Sequence, residues 1–316
     1  MTRQATPRLL ASPALPVVAT GAVVVAAFCW GLSAIFAKGA FEQGISPASM
    51  AEARIAVAGV LLLGFLIVAR RELLRPPAAA LPAAAVFGLS LVLVNLSYYV
   101  AIDRLPVGVA IALQYTAPVV VLAVTSMIGG NPPRLPVWVA GILTLVGAVL
   151  VSGAYAGFGG VDGLGLLGGF GSAVSFAMYL LSAEAAGRRG AHPASVLAVG
   201  FVVAALIWSV VLPWWTWPFS RLAESEIALR VVGVGVVGTL LPFLLVLAAL
   251  RVISSALAGI AATFEPVFAS ALAFVLLGQA LSVPQVVGGA LVVAGVLLAQ
   301  TYRAEPVASV SVEVAS

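Results

Sequence analysis

The sequence predicts an all-α integral membrane protein. Ten transmembrane helices form two inverted five-helix repeats, with both termini in the cytoplasm. Three observations predict it. The 316 residues are 63% hydrophobic and 8% charged, with a mean hydropathy of +1.19, whereas a soluble domain carries about 25% charged residues; a surface so apolar belongs in a bilayer. Apolar runs of bilayer-spanning length recur along the chain. The chain also repeats itself at an offset of 148 positions: Ala110 pairs with Ala258, Pro118 with Pro266, Gly130 with Gly278, Pro136 with Pro284, Gly141 with Gly289 and Gly147 with Gly295. Gly and Pro are the residues that most constrain a backbone, so their register marks a duplication, and internal duplication in a very apolar chain is the mark of a transporter built from halves.

A spanning helix needs roughly 20 apolar residues. The runs 15–38, 48–69, 79–101, 106–128 and 136–156 meet that length in the first half. The runs 164–186, 193–215, 227–249, 253–277 and 283–301 meet it in the second. Residues 1–14 read as a cytoplasmic N-terminal tail and 303–316 as a cytoplasmic disordered tail. The first repeat covers 15–156 and the second 164–302. Arg3 and Arg8 before the first run resemble a signal peptide. That run exceeds an h-region of 7–15 residues, so a retained first span is expected.

With the N-terminus inside, Arg3, Arg8, Arg70, Arg71, Arg75, Arg134, Arg188, Arg189, Arg251 and Arg303 lie in the cytoplasm. Only Lys38, Arg54, Arg104, Arg221 and Arg230 lie toward the outside, which satisfies the positive-inside rule. Lys38 and Arg54 are expected to snorkel to headgroups, with anion attraction the alternative for Arg54. Trp214, Trp215 and Trp217 read as an interfacial cluster at the outer end of span seven. Five crossings per half invert the second half. Pro47-Ala48-Ser49 and Pro193-Ala194-Ser195 open spans two and seven alike. An inverted pair places its site near the midplane, between the halves. Gly141 to Gly147 and Gly289 to Gly295 are expected to serve helix packing.

The chain resembles the drug/metabolite transporter superfamily, in particular its EamA-type ten-helix members, from about residue 17 to 302. The residues that carry the likeness are Trp30-Gly31 with Lys38, then Arg54, then Ala101-Ile102-Asp103-Arg104-Leu105-Pro106 into Pro118. Their counterparts run through Arg251, Ala258 and Glu265-Pro266 to Gly278 and Gly289. The resemblance implies secondary transport, mostly export of small metabolites across the cytoplasmic membrane, with amino-acid exporters the nearest members. It also implies alternating access around a cavity lined by spans one, three, four, six, eight and nine.

Intramembrane polar residues are the candidates for binding. Glu265 lies mid-span beside Pro266, which frees a backbone carbonyl near Ala262. A charge there needs a proton, a partner or a wetted cavity; a structural hydrogen bond is the alternative. Its repeat counterpart is Ala117, so the carboxylate stands in one half only. The first half offers Gln114 and Tyr115 before Pro118 instead. Asn95 and Tyr99 share a face of span three, as do Ser172, Ser175 and Tyr179 on span six. Tyr98 sits on a neighbouring face, as an interfacial aromatic. Thr239 precedes Pro242, a third expected break beside Pro118 and Pro266. Trp30 lines the cavity or packs. For each of these groups, helix packing is the competing reading.

Other classes fit poorly. One cysteine, Cys29, and one histidine, His192, leave no disulfide, no metal site and no His-based catalysis. No cofactor and no nucleic-acid partner are expected. A membrane enzyme acting on a lipid needs clustered acidic ligands or a His at the membrane face, and a channel needs a filter. No phosphate-binding loop occurs, and Lys38 is the sole lysine. Energy is therefore expected from gradients or exchange, proton coupling included.

Overall fold

The computed structural model describes residues 14–128, 133–156 and 162–302. The two tails, Gly130, Arg3, Arg8 and Arg303 lie outside the described residues. Within them the chain is helical and contains no strand. Helices α1 (Ala14–Glu42), α2 (Pro47–Ala69), α3 (Leu81–Arg104), α4 (Val107–Gln114), α5 (Ala117–Ile128) and α6 (Leu135–Val151) make up the first half. The second half contains α7 (Gly163–Arg188), α8 (Pro193–Val211), α9 (Ser225–Gly235), α10 (Leu241–Ala249), α11 (Ser255–Ala262), α12 (Phe264–Leu277) and α13 (Val283–Thr301).

Thirteen helices make ten spans because three spans are broken, each at a proline. Pro118, Pro242 and Pro266 lack the N–H that would close a bond to the carbonyl four residues earlier. The chain answers with the α4–α5 break, a π-turn over Val236–Leu240 between α9 and α10, and the α11–α12 break. The duplication is visible at residue level: α4 and α11 begin and end 148 positions apart, and α6 and α13 begin 148 apart. Two spans stop short of the sequence expectation. The fifth ends at Val151, where Gly153 turns the chain with a φ of +71° before a 3-10 turn at Ala154–Ala156. The seventh ends at Val211, because Leu212 precedes Pro213 and is driven to extended backbone.

Contacts between connections sort the span ends into two faces. On one, Trp217 Nε1 donates to Ser49 O at 2.9 Å, Arg221 Nη2 to Gln43 O at 2.6 Å, and Gln285 Nε2 to Val151 O at 3.3 Å. Arg104 meets Asp162 on the same face at 3.6 Å. The N–H of Gly165 holds the Asp162 carboxyl below its ordinary range and makes it the cap of α7. On the other face, burial and then the charges of Arg251 and Arg70 push the His192 imidazole down. Its Nδ1 accepts from Ala194 N to cap α8. Glu184 binds Arg188 at 2.8 Å and accepts from Ser255 N, capping α11 across the bundle. Every one of these pairs joins ends that ten crossings place on one side.

Trp217 departs from the expected interfacial cluster. Trp214 and Trp215 are exposed, but Trp217 is buried, because its N–H finds the Ser49 carbonyl.

Small residues set the closest approaches. A Cβ on Gly147 would lie 2.6 Å from Gly288 O, and one on Gly288 would lie 2.6 Å from Gly147 O. Helices α6 and α13 thus meet backbone to backbone. The same geometry joins α3 and α8 at Gly88 and Gly200. Gly289 is different: its added Cβ would make an ordinary 3.5 Å contact with Val267.

One buried carboxylate lies outside the site. Glu52 is 8% exposed and Trp208 is 1% exposed, and neither Glu52 Oε2 nor Trp208 Nε1 has a hydrogen-bond partner among the described residues. Gly59 meets Phe201 where α2 packs on α8, and both residues lie seven positions further out on antiparallel helices. An unsatisfied buried polar group costs about 1–3 kcal/mol. Glu52→Leu is therefore expected to raise the thermal midpoint in detergent. A lowered midpoint would show that the carboxyl does have a stabilising partner.

Candidate functional site

The two proline breaks of the repeat face each other. Tyr115 caps the C-terminus of α4, and Glu265 lies in the first turn of α12. Tyr115 Oη donates to Glu265 Oε2 at 2.6 Å, joining the halves at mid-span. A helix N-terminus favours a negative group, which suits Glu265 at that position. Tyr115 is buried, whereas Glu265 is half-buried. Its repeat counterpart, Ala117, is fully buried. The asymmetry is therefore also one of exposure: one half leaves its carboxylate half-buried, and the other half packs an alanine.

The third break supplies a cation. Pro242 has no N–H for the Gly238 carbonyl, and the Arg54 guanidinium takes that carbonyl through Nη2. Arg54 Nε also donates to Thr239 Oγ1 at 2.7 Å, and that hydroxyl donates to Val234 O at 3.0 Å. Arg54 thus turns inward from α2 onto the π-turn, and its expected snorkelling to the headgroups does not occur. Lys38 is exposed and 3.9 Å from Glu42, as a surface residue should be.

No ion pair joins Arg54 and Glu265 among the described residues. Arg54, Tyr98, Tyr99 and Glu265 are all half-buried. Tyr99 Oη donates to Pro47 O at 2.5 Å, fastening α3 to the start of α2.

The remaining candidates bond to or pack on protein groups. Gln114 Oε1 accepts from Ser172 Oγ at 2.7 Å, and Asn95 Nδ2 donates to Leu91 O at 2.7 Å, so both bond to protein. Trp30 is buried between Phe176 and Phe243, with centroids 6.4 and 6.0 Å away. Tyr179 packs on Phe87, Phe176 and Phe243 at 5.3–5.6 Å, and its hydroxyl has no partner among the described residues. These rings, with Phe201, make one aromatic cluster in the half of the bundle toward Arg70, His192 and Arg251. Gly31 lets α1 reach this depth: an added Cβ would lie 2.9 Å from Ala269 N of α12.

Sequence reasoning did not foresee that Arg54 turns inward onto the π-turn. One available signal was Pro242, whose orphaned carbonyl requires a donor from elsewhere. A separate cavity of about 210 Å³, lined by Ala269, Ser270, Gln279 and Gln285 among others, contains no charged side chain. Among the described residues, no group of His, Cys, Asp and Glu could hold a metal.

The EamA-like transporter family profile matches residues 19–153 and 163–301. An uncharacterized transporter of Archaeoglobus fulgidus is 31% identical over 64% of this chain and 70% of its own length. The threonine/homoserine exporter RhtA of Escherichia coli K12 is 27% identical over 69% of this chain and 71% of its own. A crystal structure of another protein aligns over 90% of this chain and 96% of that one, with a TM-score of 0.74 and 21% identity. That likeness concerns the fold.

Proposed function

The chain belongs to the EamA-like transporter family, and from that premise we propose that it is a secondary exporter of a small amine-bearing metabolite across the cytoplasmic membrane. The single observation that carries this reading is the Tyr115–Glu265 bond, a carboxylate presented half-buried where two broken spans meet. Transporters with inverted repeats bind at such breaks, near mid-depth. Glu265 receives the cationic group of the substrate. A coupling proton on the same carboxylate is the second role, favoured by its being the one acidic side chain joined to the opposite repeat's break.

Both termini are cytoplasmic in this reading, which follows the arginine count. The two repeats, 15–156 and 164–302, rock about the site where their broken spans meet. The aromatic cluster around Tyr179 is then the closed inner gate. No enzymatic step is needed: binding and the change of access suffice. The likeness to a threonine/homoserine exporter supports amino acids or related compounds as substrates.

The test is counterflow in proteoliposomes containing the full-length protein, with labelled L-threonine, homoserine and a panel of amines. Uptake well above protein-free liposomes, competed by unlabelled amine-bearing compounds, is expected. Uptake unaffected by any of them would remove the reading, and flux at ion-channel rates would replace it with a channel.

A further inference from the structure

Helices α2 and α8 belong to opposite repeats and pack antiparallel along one seam. The buried stripe of α2 contains Glu52, Ile55, Gly59, Leu62 and Leu66, and that of α8 contains Leu197, Phe201, Ala204 and Trp208. Spacings of three and four place each set on one face. The stripes meet at Gly59, whose added Cβ would lie 3.5 Å from Phe201 Cβ. Glu52 is the one ionisable residue in either stripe, at a position that a leucine would fill.

Glu52 is 8% exposed. Among the described residues it makes no ion pair, and no donor reaches its Oε2. The charged groups on the elements around α2 are engaged elsewhere. Arg54, two positions on, is turned to the π-turn. On α9, Arg230 holds Glu226 at 2.6 Å, and in the connection before it Arg221 holds Glu224 at 2.8 Å. On α1, Lys38 lies 3.9 Å from Glu42. On α3, Arg104 lies between Asp103 and Asp162, Tyr99 donates to Pro47 O, and Tyr98 donates nothing to Glu52. Residues 193–211 of α8 include no charged side chain. A carboxyl group buried without counterion or donor takes up a proton rather than remain charged. Even neutral it leaves an oxygen unsatisfied, so it weakens a seam that an apolar residue would strengthen. An ionisable group kept inside a span at such a cost points to function.

We propose that Glu52 is a proton-binding site in the seam between the two repeats, neutral while the seam is closed and ionised when the rocking repeats part it. The proposal rests on the export reading above, and it leaves Glu265 to the cationic group of the substrate. Rocking must act on this seam, because its two helices belong to different repeats. Glu52 stands in the second turn of α2, at the outer end of the stripe, so its proton enters from the outside. An exporter that takes a proton from outside exchanges it for the substrate that it releases there.

The test uses proteoliposomes containing the full-length protein, with labelled L-threonine, homoserine and the amine panel. Two measurements are made: counterflow at equal pH, and accumulation under an imposed pH gradient, acid inside, at clamped membrane potential. Wild type is expected to accumulate substrate up to about ten-fold per unit of gradient, the limit for one proton exchanged per substrate. Glu52→Gln is expected to lose that accumulation while counterflow stays within about two-fold of wild type. Glu52→Leu, whose folding the apolar seam favours, is expected to do the same and serves as the readout should the Gln variant not fold. Glu52→Asp is expected to restore part of the accumulation. Accumulation retained by the Gln or Leu variant overturns the proposal. Equal loss of counterflow and accumulation in both variants overturns it too and leaves Glu52 as a packing group. Wild type that shows counterflow but no response to the gradient overturns this proposal alone, and wild type that moves none of the compounds overturns the export reading with it.

Discussion

Glu265→Gln is expected to lower the export of amine-bearing substrates at least about ten-fold in proteoliposomes while leaving the thermal midpoint within a few degrees of wild type. The size follows from a hydrogen bond to a charged group, worth about 1.5–3 kcal/mol, where about 1.4 kcal/mol is ten-fold. The fold should survive because a glutamine oxygen can still accept from Tyr115 Oη, which now bonds Glu265 at 2.6 Å. What the substitution removes is the negative charge, and with it the attraction for a cation and the capacity to carry a proton. Transport across a pH series separates the two roles. Substrate binding that persists while the pH dependence vanishes assigns the proton role; loss of binding assigns the substrate role. Flux and pH dependence both equal to wild type would exclude Glu265 from the mechanism.

The largest structural effect is expected at Gly147. A Cβ there would lie 2.6 Å from Gly288 O and within 3.0 Å of Val292 N, both backbone atoms that cannot swing aside. Gly147→Val must push α13 from α6 along their shared crossing. Overpacking of this kind costs about 1–3 kcal/mol and more when backbones collide. Thermal unfolding in detergent should show a clear fall in midpoint, with less folded protein recovered. Gly289→Val is the control, since the nearest atom to its Cβ would be Val267 Cγ1 at an ordinary 3.5 Å. The duplication places Gly141, Gly147, Gly289 and Gly295 in one pattern, yet only the crossing shows which of them hold backbones together. An equal response from both substitutions would show that the crossing at Gly288 does not limit stability.

Much of this molecule is legible along the chain. Ten apolar runs mark ten spans. The prolines at 118, 242 and 266 mark where spans break, because a missing N–H breaks a helix wherever it occurs. The mismatch between Glu265 and Ala117 marks the half that carries the charge. Each of these depends on residue type and spacing, which the sequence holds in full.

Arg54 shows what is lost. Seven residues inside the start of α2, it reads as a headgroup anchor, since long cations near span ends usually are. Trp217 reads likewise as an interfacial ring. Both turn inward because a carbonyl in another span accepts from them: Gly238 O, left without a helix donor by Pro242, for Arg54, and Ser49 O for Trp217. Tyr99 is one position from Tyr98, and nothing in their spacing tells that Tyr99 fastens α3 to the Pro47 carbonyl of α2.

The sequence by itself determined the class, the number of spans, the places where they break and the residue whose charge lacks a twin. Only the tertiary structure decided which side of each helix turns inward, and hence that Arg54 binds the π-turn and Glu265 meets Tyr115 of the other half. The physical reason is the solvent. A helix in water hides an apolar stripe and so declares its inner face, but a helix in lipid is apolar all round. Its inner face is then chosen by close backbone approach and by polar groups finding partners on other helices, and these partners are known only when the helices meet.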